Sequence, residues 1–554
     1  MKMRIKYPVV LRRIGAGRRL NALRSFISGN RYAILSLLII LLMLSHLSNK
    51  RWEGDFWVHV ACVRELAANP LSPHNPILLA NEPCDFYTPY TLFIALCSRA
   101  TKTDAITCLA VAGVINLLLL LISLRLFVSS YITKDVEKTA FYTLLFMLFL
   151  WGAPPWFWSG FFHMDALGYV LPYPSTFTAA LIFFSFALYI HVLKGAHLAW
   201  LSLYFLICPM LLLTHPTTAI VFYAGLGAFT IGFKKWHDVT ILSVLAGAFA
   251  FSILVALIYP YFSCIDLFLA KAGSFHEDNY DLYMNILPRT LPLLIGAIPL
   301  VGRMRRDRFD PLVLFFLFLV CIYVYGALSG SYTYGRVVFY IVLLLQMALA
   351  AWVAGAETRR DWRGLLLLVA YLYLAAPLLP TRAFSSMAQY RPGRDSNYSN
   401  LLFLSRYTRQ YDVILSDIRT SFYVPAFGGK VVAYDNPSLH GLGKLERGRA
   451  VSFFLGDEAS DNDRVDIIRK YHVTHLLINM ERREAGRTLA AVAPFGELAY
   501  RSPAYSLIRV DEGRPVFVNR DRVSLFRRFA NALSACYKAL VRRPCARIAR
   551  AVSG

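Results

Sequence analysis

A chain of 554 residues that is 57% hydrophobic and only 17% charged departs from the roughly 25% charge of an ordinary soluble protein, which excludes a soluble multidomain enzyme. The formal charge of +24 could fit a nucleic-acid binder, but Lys and Arg sit mainly at the N-terminus, in short loops and in the tail. There they act as topology signals, and no nucleic-acid partner is expected.

Residues 1–31 form a basic stretch with no small-residue cleavage site after it, so the first apolar block reads as a retained anchor. Apolar blocks follow at 32–48, 105–130, 139–153, 174–193, 198–213, 217–233, 238–262, 289–302, 311–328, 336–354 and 364–380. The fold class is therefore mainly α: a polytopic membrane protein with about eleven transmembrane helices over residues 32–380. Tyr90–Ala100 is too short to span and is expected to lie along the surface or re-enter. The N-terminus shares its side with the Lys- and Arg-rich loops at 134–138, 194, 234–235, 303–308 and 359–363, which marks that side as cytoplasmic. An odd number of spans then places the first loop, 49–88, and everything after residue 381 together on the outer side.

Residues 381–520 have the composition of a small extracytoplasmic α/β domain. Asp412–Ser416, His472–Asn479 and Ala504–Val510 read as strands, Asp461–Tyr471 as a helix, and Gly428–Gly429 as a turn between strands. Residues 521–554 are basic, and Arg522–Arg543 alternates apolar and basic faces as a helix on a membrane surface does.

Chemistry centres on the first outer loop, where Glu53 and Asp55 follow the first span directly. A carboxylate at the interface among aromatic rings is partly desolvated, holds its proton more tightly, and can act as a general base near neutral pH. The same residues also serve as ordinary interfacial polar groups, and spacing alone leaves both readings open. Cys62 and Cys84 share this loop and are candidates for a disulfide in an oxidising compartment.

The run E-G-D-F-W-x-H, the segment ending R-E-L-A-A-N-P, and Y-T-P-Y-T-L-F-I-A-L-C-S-R-A-T after it resemble the N-terminal signature of the C-type integral membrane glycosyltransferases. That family uses polyprenyl-phosphate sugars and includes protein mannosyltransferases, aminoarabinose transferases and arabinofuranosyltransferases. The resemblance covers most of the chain in architecture but only the first loop in motif. It implies a GT-C-like fold in a bacterial cytoplasmic membrane, and transfer of a sugar from a polyprenyl-phosphate donor to a lipid, glycan or protein acceptor. The catalytic acid of the family maps to Asp55. A glycine separates Asp55 from Glu53 where some members have adjacent acids, so which of the two is the base stays open.

Such a reaction needs cations for the departing lipid phosphate. Arg336, in SGSYTYGRVVFY with Tyr334 beside it, stands at the outer start of a span, where a charge either works or snorkels. Arg289 and Lys271 flank the outer loop 263–288 and are weaker candidates. His215 occupies a T-H-P turn at the outer face, as a ligand-binding or a capped structural residue. The second outer loop contributes His163 and Asp165 among aromatics, and some family members use an acid there for a metal or for the acceptor. The cofactor is otherwise undetermined, with Mg²⁺ or Mn²⁺ as the candidates. His276, Glu277 and Asp278 could join a metal site only with other ligands, since three consecutive residues do not converge on one ion. No G-x-x-x-x-G-K-[ST] loop, C-x-x-C pair or H-E-x-x-H helix is present. Two rival functions remain on the sequence: a transporter or flippase for lipid-linked sugars, and a non-catalytic envelope assembly protein.

Overall fold

The computed structural model describes Phe26, Trp52 and residues 29–48, 54–81, 84–153, 155–264, 281–374, 396–435 and 443–510. Glu53, Lys271, His276, Glu277, Asp278 and the tail 521–554 lie outside the described residues. The helical part runs α1 Arg31–Ser48, α2 Phe56–Ala68, α3 Pro89–Thr101, α4 Ala105–Tyr131, α5 Val136–Phe149, α6 Met164–Val170 and α7 Pro174–Leu193. It continues through α8 Tyr204–Thr214, α9 Pro216–Gly232, α10 Val239–Ile258, α11 Ile286–Leu294, α12 Ala297–Arg306, α13 Pro311–Ser329, α14 Val338–Arg359 and α15 Trp362–Leu374. Several starts are set locally by Asp caps. Asp104 accepts from Thr107 N at 2.9 Å, and Asp310 accepts from Leu312 N at 3.0 Å, with Pro311 in the first turn where its missing N–H costs nothing.

Each expected span coincides with helix, but the count of eleven is not reproduced. Among the described residues six helices are long and apolar enough to cross a membrane, or seven if the pair α11 and α12, bent by 61°, is one span. The others fall short for visible reasons. The block 198–213 splits into a 3₁₀ turn, Leu198–Leu203, and α8, which carries Pro209 inside it, while α9 has 17 residues. The stretch 56–68, whose sequence reads as amphipathic, is a helix buried around its circumference from Phe56 to Leu66.

Loop contacts fall into two groups, one at each end of the bundle. At one end Arg31 of α1 meets Glu357 of α14 at 2.9 Å, Lys138 of α5 reaches the same carboxylate at 3.5 Å, and Arg303 of α12 pairs with Asp310 at 2.8 Å. At the other end the Tyr259 hydroxyl donates to Tyr87 O at 2.8 Å, the Tyr261 hydroxyl donates to Pro70 O at 2.6 Å, and Arg336 bonds Ser159 of the second outer loop.

The C-terminal domain stands at this second end. Its sheet has the order β2-β1-β3-β5-β4, with β1 Val413–Ser416, β2 Lys430–Val431, β3 His475–Asn479, β4 Gly496–Arg501 and β5 Tyr505–Val510. β1 is parallel to β2 and to β3, and β5 is antiparallel to β3 and β4. The helix Asp461–Tyr471 is where the sequence places it, held by a capping box in which Ser460 and Asp463 bond each other's backbone N–H. Two details differ from expectation. β3 starts at His475 because His472 takes a left-handed conformation (φ 54°) to end the helix, and Gly428–Gly429 joins a short helix, Val424–Phe427, to β2 rather than two strands.

Candidate functional site

Asp55 is the residue at the start of α2. Its backbone carbonyl receives His59 N at 3.0 Å, while its side chain makes no capping bond. The chain reaches this start through Gly54, whose φ of 60° suits glycine and whose Cα faces Tyr173, so that an added methyl would lie 3.3 Å from the phenolic oxygen. The entry is fixed by aromatic packing. Trp52 stacks on Phe56 at 4.3 Å, Trp57 Nε1 donates to Trp52 O at 3.1 Å, and His46 at the end of α1 meets Trp52 edge-on at 5.6 Å.

The second outer loop closes on this entry from the other side. Asp165 lies in the first turn of α6 and is buried. α6 packs so closely on α1 that a methyl at Gly168 would come within 3.0 Å of the His46 imidazole. Tyr173 at the loop's end touches the His59 ring at 5.4 Å, one helical turn beyond Asp55. His59 also meets Phe86 at 5.0 Å, and burial pushes its pKa down to about 3, so a neutral imidazole stands next to the candidate base. Sequence reading missed His59 as a site residue, although its i+4 spacing from Asp55 was a usable signal. His163 is turned elsewhere: Nε2 bonds Trp156 O at 2.9 Å, its ring packs on Phe157 at 5.0 Å and Trp151 at 5.7 Å, and burial lowers its pKa to about 4.

Arg336 is 8% exposed and points inward, against the snorkelling alternative. Its guanidinium donates to Ser159 Oγ at 2.7 Å, to Ser159 O and to the Tyr332 hydroxyl, and lies over the Tyr332 ring at 5.3 Å. Ser159, Ser175, His215, Thr217, Thr218 and Arg336 line one very narrow cleft together with Phe161, Val221 and Tyr340. His215 is held there by Thr217 Oγ1 at 2.8 Å and Thr218 Oγ1 at 2.5 Å, and burial, then the nearby Arg336 charge, lowers its pKa to about 3. Tyr334 is not part of this cleft: its ring packs on Tyr325 at 5.3 Å, and Tyr332 is the tyrosine that meets the arginine. Arg289 is already committed. It grips Asp281 at 2.7 Å and covers Trp156 at 5.0 Å, and its hydrogen bonds hold the Asp281 carboxyl below the usual carboxylate range.

The chain is similar in fold to an archaeal oligosaccharyltransferase. The Archaeoglobus fulgidus enzyme in complex with zinc and sulfate superposes with a TM-score of 0.53 at 14% identity, over 87% of this chain and 74% of that one. The apo form of the same enzyme gives 0.49 at 12% identity over 88% and 75%, and AglB with an inhibitory peptide and a dolichol-phosphate gives 0.49 at 11% over 89% and 75%. No family model matches the sequence, and no curated protein matches it.

Gly54, which precedes Asp55, and His59 thus meet Tyr173, Asp165 is buried in α6 and Arg336 lines its own cleft, while His163, Tyr334 and Arg289 are engaged in packing or pairing of their own. Among the described residues no three His, Cys, Asp or Glu side chains come together as metal donors. Cys62 and Cys84 are buried free thiols with their sulfurs 3.9 Å apart, and burial raises the Cys62 thiol well above its ordinary pKa.

Proposed function

We propose that this chain is a membrane glycosyltransferase that moves a sugar from a polyprenyl-phosphate donor to an envelope acceptor, a lipid, glycan or protein, at the outer face of the cytoplasmic membrane. The observation that carries the reading is the meeting of the first and second outer loops around Tyr173, which puts Asp55 at a helix entry backed by aromatic rings. The oligosaccharyltransferase-like fold supports the same reading.

In the proposed inverting step the Asp55 carboxylate, with Glu53 as its neighbour, takes the proton of an acceptor hydroxyl. The freed oxygen attacks the anomeric carbon as the bond to the lipid phosphate breaks. The polyprenyl phosphate leaves with the electron pair of that bond, and Arg336 is the cation assigned to meet its charge, with His215 beside it. The neighbour complexed with zinc and sulfate supports a divalent cation, Mg²⁺ or Mn²⁺, as a requirement to test, and no step here runs through a metal.

The experiment is Asp55→Asn in full-length protein reconstituted in vesicles, assayed for transfer from a polyprenyl-phosphate sugar. Loss of about 10²–10⁴-fold is expected of a missing general base. Full activity would remove Asp55 as the base, whereas no transfer by the parent protein would favour the flippase or assembly reading.

A further inference from the structure

The far end of α2 is gripped by the C-terminal domain through buried charge. Glu65, 1% exposed at its side chain, receives Lys430 Nζ of β2 at 2.8 Å, Gln410 Nε2 at 3.0 Å and the backbone N–H of His74 at 3.0 Å. Lys430, 3% exposed at its side chain, also donates to Asn75 O at 2.6 Å and stands 5.7 Å from the Tyr411 ring centre. Around this pair Asn69 Nδ2 donates to the Tyr411 hydroxyl, Arg64 donates to Pro425 O, and Trp57 packs against Phe427 at 5.4 Å. Burial opposes ionisation of Glu65, but the bonds from His74 and Lys430 outweigh it and hold the carboxyl well below the usual range. Burial pulls the Lys430 ammonium down and Glu65 pulls it back, and at 2.8 Å with every oxygen bonded the pair is ionised. The loop after α2 continues the attachment as an added strand: Val431 N donates to Ile77 O at 2.9 Å, and Leu78 bridges Val431 in parallel beside β2.

Stability does not require such an arrangement, since apolar residues of equal volume often do as well. Its geometric effect is specific: bonds with fixed directions seize the C-terminal turn of a rigid helix whose first turn presents Asp55. We propose that Glu65 and Lys430 are positioning residues, through which the C-terminal domain sets the placement of α2 and hence of Asp55. The functional part of this rests on Asp55 being the base, while the mechanical part does not.

The test is amide hydrogen exchange on full-length protein in detergent, comparing residues 56–62 with the strands 475–479 and 505–510. Lys430→Met strands a buried carboxylate. It should raise exchange at 56–62 at least about tenfold while the two strands stay protected, and the double variant Glu65→Lys with Lys430→Glu should restore most of the protection. Tyr411→Phe, which removes one hydroxyl and leaves no charge unpaired, should act in the same direction more weakly, and it decides the matter if Lys430→Met unfolds the domain. Unchanged exchange at 56–62 in Tyr411→Phe together with a folded Lys430→Met, or in Tyr411→Phe alone if Lys430→Met unfolds, would overturn the proposal. Failure of the catalytic reading would look different: full transfer activity in Asp55→Asn with these exchange rates unaltered.

Discussion

Replacing Arg336 separates the packing of this residue from its proposed chemistry. A guanidinium has five N–H donors; three of its bonds here go to the Ser159 carbonyl, the Ser159 hydroxyl and the Tyr332 hydroxyl, and the side chain lines the cleft. Hydrogen bonds to a charged group contribute about 1.5–3 kcal/mol each, so Arg336→Met should loosen the 158–160 turn by a few kcal/mol. If the guanidinium also meets the leaving phosphate, kcat should fall by about 10²–10³-fold, the effect of removing one preorganised donor to developing charge. Arg336→Lys keeps the charge but not the fork and should fall in between, at about tenfold. Ser159→Ala removes one of the same bonds without touching the charge, and serves as the packing control. The assay is transfer kinetics in vesicles, with thermal midpoints of each variant in detergent. A folded Arg336→Met protein with kcat within about twofold of the parent would refute the phosphate assignment.

His163 gives a pH prediction with a definite sign. Its folded pKa of about 4 lies below the ordinary 6.5, so the stability from its burial is present in full above pH 6.5 and is lost as pH falls toward about 4. At 1.36 kcal/mol per unit this amounts to about 3 kcal/mol, and His163→Gln, which keeps a donor for Trp156 O, should flatten the fall of thermal midpoint between pH 7 and 4.5. An equally steep fall in that variant would assign the acid sensitivity to other groups. For the cysteines Cys62 and Cys84, whose sulfurs stand 3.9 Å apart as free thiols, non-reducing mass spectrometry of protein taken from intact membranes tests whether an oxidising compartment closes the gap: one linked peptide supports the cross-link, and recovery of both only as thiols excludes it.

Much of the bundle is legible because hydrocarbon selects for composition. Span number is harder, since apolar content does not report where Pro209 shortens a helix or where α11 and α12 bend. In the C-terminal domain, β1 and the helix at 461–471 carry local signals, an apolar run and a capping box. β2 has two residues, and β4 faces solvent along much of its length, so neither shows a periodicity to read. Asp55 stands out by its place after the first span. Glu65 does not, because its partner is 365 residues away, although a single carboxylate on a mainly apolar helix was a trace of it.

The strand pairing of Leu78 with Val431 bears on biogenesis. Its two halves are made far apart in synthesis, so the first loop exists long before its sheet partner does. Until then Glu65 has water for company and α2 lacks its anchor. Contacts this distant in sequence form late, and the last segment to fold is therefore the one that seats the first. A chain cut short before Lys430 would carry every residue of the Asp55 entry and still lack the contact that holds it in place.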